Sequence, residues 1–507
     1  MAADDGVRLA TRLVRPAEPG VRRGTVLVRT ERPLGAGNPL EKLAGWLAED
    51  GRNVVLQSCR GRDASEGDFE PFVHEVSDGG AALRWIAAQP GLEGPVVALG
   101  LGYAAFTAWA AAAAEPDRVV GIAAGFGARD PHAWLHRGSA LQLETALALA
   151  ARLDGRAGLE PGELDLARAG RHLPEDDCDR VAVRRLDAFR AWRAHPERDA
   201  WWEARTPALT CPPRALFVGG WYDASLAASL DDHASLVAHA AGSDAATPSL
   251  VVGPWGAAPT PLPRRFLEPP LAAVARAVSR FVARAVGEPG AREVGTQVYV
   301  LGAGWRDGRP WPPPRTEPRT FHLHGRGAAN SDDGDGRLDD AAPGDEPPDR
   351  FVADPADAVP SLGGVAWHAL AGPVDQRPVE QRGDVLCFTG PDLTSALELS
   401  GSASATLFVE ADATPFDVCA KLTAVAPDGT ACWLAEGIAR RREPGACTVD
   451  LGPVAARLAP AERLRLEVSG SSVPRFARDP ERQGVAHYTL HHDAARPSTL
   501  TVEAVTG

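Results

Sequence analysis

The sequence predicts an α/β protein that carries a separate all-β domain, and three observations lead to that reading. Up to about residue 128, short apolar runs alternate with segments of helical spacing. Such alternation builds βαβ units around a parallel sheet buried on both faces. Residues 129–210 contain helical segments and no strand-like run, as an inserted cap would. From about residue 320 the apolar residues alternate with period two between Gly, Pro and Asp turns, the pattern of a β-sandwich or jelly roll.

Taken in order, residues 25–28 (TVLV), 53–57 (NVVLQ), 96–101 (VVALGL) and 119–124 (VVGIAA) read as strands. Between them residues 39–49, 77–89 and 103–115 have helix-type spacing. Residues 140–153 and 180–194 are the helical stretches of the insertion. Two later runs, 215–218 (ALFV) and 249–252 (SLVV), bracket a helical segment at 225–241 and join the same sheet. Proline-rich stretches at 254–265 and 310–319 punctuate the chain. Beyond them come the alternating segments 403–411, 417–426 and 462–469, and an acidic, glycine-rich loop at 330–349. The expected organisation is a first α/β part at 1–128, a helical cap at 129–210, a second α/β part at 211–318 and a jelly-roll β-sandwich at 319–507.

Composition narrows the function. The 507 residues include 67 acidic and 53 basic side chains, a net charge of −14 that repels polyanions and disfavours nucleic acid or an anionic membrane surface as partner. Seven scattered cysteines without a C-x-x-C pair fit a reducing cytoplasm. The polar start MAADDGVRLATRL lacks a signal-peptide core, and no run of about 18 apolar residues occurs. Only Lys42 and Lys421 are lysine, which leaves little room for Schiff-base chemistry. The expected partner is a small-molecule substrate, with no nucleic acid, no membrane, no cofactor and no metal; a homodimer is left open.

The chemistry is expected where the fourth apolar segment meets its helix. Residues 96–101 run into Gly100-Leu101-Gly102-Tyr103-Ala104-Ala105, the place where a G-x-S-x-G nucleophile elbow would present a serine. Further segments make the chain resemble the cocaine esterase and X-Pro dipeptidyl-peptidase family of α/β-hydrolases. They are DGVRLATRLVRP at 5–16, RGRDASEGDF at 60–69, GGWYD at 219–223, VVGPW at 251–255, DPADAVPSLGG at 354–364 and VDQRPVEQRGDVLCF at 374–388. The resemblance implies an α/β-hydrolase domain with a helical cap and a C-terminal jelly roll. It also implies a serine nucleophile at position 102, an acid at Asp223, a histidine at 257 and a tyrosine oxyanion donor near position 32. In this sequence those positions hold Gly102, Asp223, Ala257 and Arg32. Neither Ser58 nor Ser65 is placed to substitute, since one belongs to a strand and the other to the R-G-x-x-x-S-x-G-x-F signature.

Members of a catalytic triad act as a unit, and losing the serine or the histidine costs on the order of 10⁶-fold in rate. The substitutions therefore argue against an acyl-serine mechanism. The function expected on this basis is a non-hydrolytic enzyme for a bulky, aromatic small molecule, catalysing addition, cyclisation, elimination or isomerisation in bacterial specialised metabolism. The alternatives are a pseudohydrolase that binds a small molecule or confers resistance, and a hydrolase whose water is activated by Asp223. Burial disfavours a charged carboxylate, so Asp223 is a candidate general acid or base. Glu31 and Arg32 follow the first long strand, and an arginine there can hold an oxyanion. Tyr103 would contribute its backbone N–H. Trp134, Trp221, Tyr222, Trp255, Trp367 and His136 are the candidate substrate-binding groups, Trp134 and Trp367 through the resemblance, with core packing as the competing reading for the tryptophans. His132 and His136 would share a helix face and suit a metal, but Pro131 and Gly138 argue against a regular helix there.

Overall fold

The first helix illustrates how local sequence builds the fold. In the computed structural model α1 (Pro39–Glu49) starts where the Asn38 side chain accepts a hydrogen bond from Leu40 N at 2.9 Å, with Pro39 in the first turn. Both features are helix-start signals, because the first N–H groups of a helix lack internal acceptors and proline has none to satisfy. The apolar stripe Leu40, Leu43, Ala44, Leu47 and Ala48 is buried. The structure describes all residues except 18–23, 36, 156–162, 244, 257–269, 368–370, 483 and 507.

The chain divides into two compact units. The first comprises Met1–Trp134, Arg198–Trp255 and Leu267–Val298, and the second Leu135–Glu197, Gly256–Phe266 and Tyr299–Gly507, each over its described residues. In the first unit the opening strands are β1 (Thr11–Val14), β2 (Thr25–Thr30), β3 (Asn53–Ser58), β4 (Val96–Leu101) and β5 (Val119–Gly125). The order across its sheet is β1-β3-β2-β4-β5, followed by Arg214–Tyr222, Ser249–Gly256 and Thr296–Val300. Among these five, β1 runs antiparallel to β3, whereas β2, β3, β4 and β5 are parallel, as the uninterrupted apolar runs imply. Helices α2 (Glu75–Ala87) and α3 (Tyr103–Ala114) flank this sheet. Residues Tyr103–Ala112 are all buried, in keeping with a helix apolar on every side.

The second unit contains an eleven-stranded antiparallel-rich sheet system built on the long strands Leu397–Ala411 and Gly445–Leu458. It is the C-terminal jelly roll. Residues 135–197 of the helical insertion lie in the same unit, whereas its ends, 129–134 and 198–210, belong to the first. Arg475 bonds the Gln142 side chain, and Glu175 receives Arg193 at 3.0 Å and Arg478 at 3.3 Å. Within the insertion, residues 140–153 form a short strand pair (His136–Arg137 with Ala140–Leu141) before the helix Leu143–Leu153. Residues 180–194 form two helices, Cys178–Ala182 and Asp187–Ala194, rather than one. The loop expected at 330–349 carries a three-residue strand, Arg337–Asp339.

Candidate active site

Gly102 stands in the turn between β4 and α3 with φ 66° and ψ −131°, a conformation that L side chains rarely adopt. Its N–H donates to the Gly125 carbonyl at 2.8 Å, and its own carbonyl caps Ala105 N at 3.0 Å. A Cβ placed on Gly102 would meet no heavy atom of the described residues within 4 Å. The turn is thus a strand-to-helix elbow whose tip is open among the described residues. The next N–H, that of Tyr103, belongs to the first turn of α3, where backbone donors have no intrahelical acceptor.

The Tyr103 side chain points the other way. Its phenol donates to Glu75 Oε1 at 3.0 Å and accepts from Phe72 N at 2.9 Å, and its ring packs on Phe69, Phe72 and Phe106. Glu75 pairs with Arg29 at 2.9 Å, and Arg29 also donates to Gln57 and to the Glu75 carbonyl. Asp78 lies 3.6 Å from Arg29 and binds Arg60 through both oxygens at 2.6 and 3.2 Å. Burial, reinforced by the charge of Glu75, pushes the Tyr103 phenol and the Cys59 thiol well above their ordinary values. Burial would lower Arg29, but the charges around it, Glu75 foremost, carry it above its usual range.

Asp223 ends the strand Arg214–Tyr222 and is buried. Its Oδ1 accepts from Ser225 N at 2.8 Å and from the Ser225 hydroxyl. Glu31, also buried, and half-buried Arg32 follow β2; Arg32 N donates to Thr30 Oγ1 at 3.1 Å. The Arg32 guanidinium makes no hydrogen bond or ion pair to another described residue. Strand order therefore brings Glu31, Arg32, Gly102, Tyr103 and Asp223 to the carboxyl edge of one parallel sheet, where open α/β sheets bind their ligands. Trp134, Trp221, Tyr222 and Trp255 belong to the same unit and are buried, with Trp255 packed 6.2 Å from Phe126.

Two candidates are placed in the other unit. His136 begins a two-residue strand outside the helix Pro131–Leu135 that holds His132, so the two histidines share no helix face. Trp367 donates its backbone N–H to Glu144 at 2.6 Å and lies under the Arg152 guanidinium. Ala257 lies outside the described residues. Ser65 accepts from Ala10 N and donates to the Ser58 carbonyl, both at 2.9 Å, which is a structural task. The Arg29–Glu75–Tyr103 network is not read from the sequence; its one signal is a charge, Arg29, directly after the apolar run 26–28 of a buried strand.

A parallel sheet with a strand-to-helix elbow at its carboxyl edge, followed by a β-sandwich, defines an α/β-hydrolase with a C-terminal jelly roll. Residues 5–256 match the X-Pro dipeptidyl-peptidase (S15 family) and 291–501 the X-Pro dipeptidyl-peptidase C-terminal non-catalytic domain. Cocaine esterase of Rhodococcus sp. (strain MB1 Bresler) is 33% identical, across 95% of this chain and 91% of that protein. The chain belongs to the cocaine esterase and X-Pro dipeptidyl-peptidase (CocE/NonD) family. Among solved structures, an aminopeptidase from a marine sediment Thaumarchaeota archaeon shares the fold with a TM-score of 0.81 at 19% identity, covering 100% of this chain and 95% of that one. An α-amino acid ester hydrolase does so with a TM-score of 0.79 at 19% identity, covering 99% and 95%.

These relatives correct the function expected from the sequence. They are named as hydrolases, and none points to addition, cyclisation, elimination or isomerisation, or to a pseudohydrolase role. A missing serine does not by itself imply a non-hydrolytic reaction, because loss of a nucleophile removes one route to hydrolysis and leaves others. No helix among the described residues is long and apolar enough to cross a membrane.

Proposed function

We propose that this protein is a carboxylic-ester hydrolase in which water occupies the place of the serine hydroxyl. The observation that carries the reading is the elbow itself. Its backbone keeps the positive-φ turn at Gly102, and a side chain there would meet no heavy atom of the described residues within 4 Å of its Cβ. A water held there lies beside the Tyr103 N–H, which polarises the ester carbonyl and receives the negative charge as the tetrahedral intermediate forms. Asp223 accepts the proton of the attacking water and returns it to the oxygen of the departing alkoxide as the C–O bond of the tetrahedral intermediate breaks, so that the carboxylic acid and alcohol leave without a covalent acyl intermediate. Arg32, at the neighbouring strand end, offers a second charge to the oxyanion. The relative named cocaine esterase favours an ester as substrate, and the buried indoles of Trp134, Trp221 and Trp255 supply apolar surface in the same unit.

The size of the effect follows from the parts retained. In serine hydrolases stripped of their triads, the oxyanion donors and substrate binding still deliver roughly 10³- to 10⁴-fold over water. Hydrolysis of p-nitrophenyl benzoate and butyrate tests the reading. The protein should accelerate at least one of them by about that factor, and rates at the buffer background for both would exclude it.

A further inference from the structure

Beneath the elbow lies a charged network that an apolar sheet-helix interface does not need. Arg29 on β2, Glu75 opening α2 and the phenol of Tyr103 at the start of α3 are all buried, with side-chain exposures of 1% and 3% for the ion pair. The tyrosine hydroxyl is held from both sides by Glu75 Oε1 at 3.0 Å and Phe72 N at 2.9 Å, and Glu75 ties it to Arg29 on β2. Aromatic packing alone would fix the ring plane; the two hydrogen bonds also fix its depth and rotation. Tyr103 is the residue whose N–H points from the elbow, so whatever sets its side chain sets that donor.

We propose that Glu75 and Arg29, acting through the Tyr103 phenol, are positioning residues that hold the elbow N–H in line with the substrate carbonyl. The placement rests on the hydrolase reading only for its catalytic consequence. Its structural content stands alone. With Gly102 at the tip, a residue with wide backbone freedom, the anchor on its C-terminal side carries more of the task. Arg29 holds the Glu75 side chain in place at 2.9 Å, and Glu75 Oε1 in turn accepts from the phenol at 3.0 Å. Asp78 and Arg60 extend the frame, joined through both Asp78 oxygens.

Tyr103→Phe is the decisive variant, since it deletes the hydroxyl and keeps the ring against Phe69, Phe72 and Phe106. Two readouts apply to the full chain. In hydrogen exchange followed by mass spectrometry, the peptide spanning the elbow should exchange at least about tenfold faster than in the parent, with peptides of the C-terminal domain unchanged. Equal exchange in the elbow peptide would overturn the proposal whether or not the protein hydrolyses esters. With an ester that the parent hydrolyses, Tyr103→Phe should lower kcat on the order of 10- to 100-fold while KM moves less than about threefold. A core substitution away from the elbow, Val26→Ala, should leave kcat unchanged and so separates positioning from general loss of stability. An unaltered kcat in a folded Tyr103→Phe protein would overturn it, whereas a parent with no activity at all would instead remove the hydrolase reading.

Discussion

Replacing Gly102 and Gly127 by alanine should separate backbone strain from steric overlap at the elbow. At Gly102 the added methyl meets nothing within 4 Å among the described residues, so the cost is conformational: φ 66° with ψ −131° is a region where a non-glycine residue stores about 1–3 kcal/mol. At Gly127 the added Cβ would fall 2.2 Å from the Gly102 carbonyl oxygen, so the backbone must move by about 1 Å to reach ordinary contact. Displacement of a packed, buried backbone belongs with the largest single-substitution costs, about 4 kcal/mol or more. For a unit of this size each kcal/mol shifts the melting temperature by about 2–4 °C. Gly102→Ala should therefore lower Tm by roughly 2–12 °C and Gly127→Ala by about 8 °C at the least, read by scanning calorimetry or circular dichroism at fixed pH. A Gly102→Ala cost equal to or greater than that of Gly127→Ala would refute the open elbow. The same result would remove the space in which the catalytic water is placed.

Three further outcomes follow from the geometry. Glu75→Ala leaves Arg29 charged and buried without its 2.9 Å partner, and should cost about 3–5 kcal/mol in a urea titration; a loss below 1 kcal/mol would show that the pair is dispensable. In the jelly roll, burial and then the charge of Glu467 push Glu380 up to about 8, although Arg465 sits 2.6 Å from it. Because this value is above the ordinary 4.5, Glu380 contributes stability that is complete below about pH 4.5 and is lost as pH rises towards 8. The stability of the parent relative to Glu380→Gln should therefore fall between pH 5 and pH 8, and a pH-independent difference would contradict the assignment. Asp223→Asn should reduce ester hydrolysis at least about 100-fold, the lower range for a lost general base, while the melting temperature stays close to that of the parent. Unchanged turnover would exclude Asp223 as the proton acceptor.

Much of this architecture was legible because sheet burial leaves a strong mark. Residues 96–101 were read as a strand with the observed bounds, and residues 39–49 as a helix with the observed bounds. Both are bounded by residues with local causes: Gly102 at one end, and Asn38 and Pro39 at the other. The helix Pro270–Ala285 and the strand Thr296–Val300 were not read, the first for want of a clear start signal and the second because TQVYV mixes polar and apolar residues at a sheet position away from the centre. Residues 180–194 looked like one helix because their apolar spacing continues across a break that only tertiary hydrogen bonds create, as at Asp179, which accepts from Leu186 N and binds Arg190. At the site, Gly102, Tyr103 and Asp223 were visible as motif positions. Glu75 was not, since its role depends on a partner 46 residues earlier in the chain and a phenol 28 residues later.

Hydrolysis without an acyl-enzyme is open to one direct measurement. A chromogenic ester that the protein turns over should be mixed rapidly with enzyme in ¹⁸O-labelled water, with the release of alcohol followed in time and the intact protein weighed at each point. The account predicts a linear release with no burst, ¹⁸O in the carboxylic acid product and no mass added to the protein. A stoichiometric burst accompanied by a protein heavier by one acyl group would contradict it.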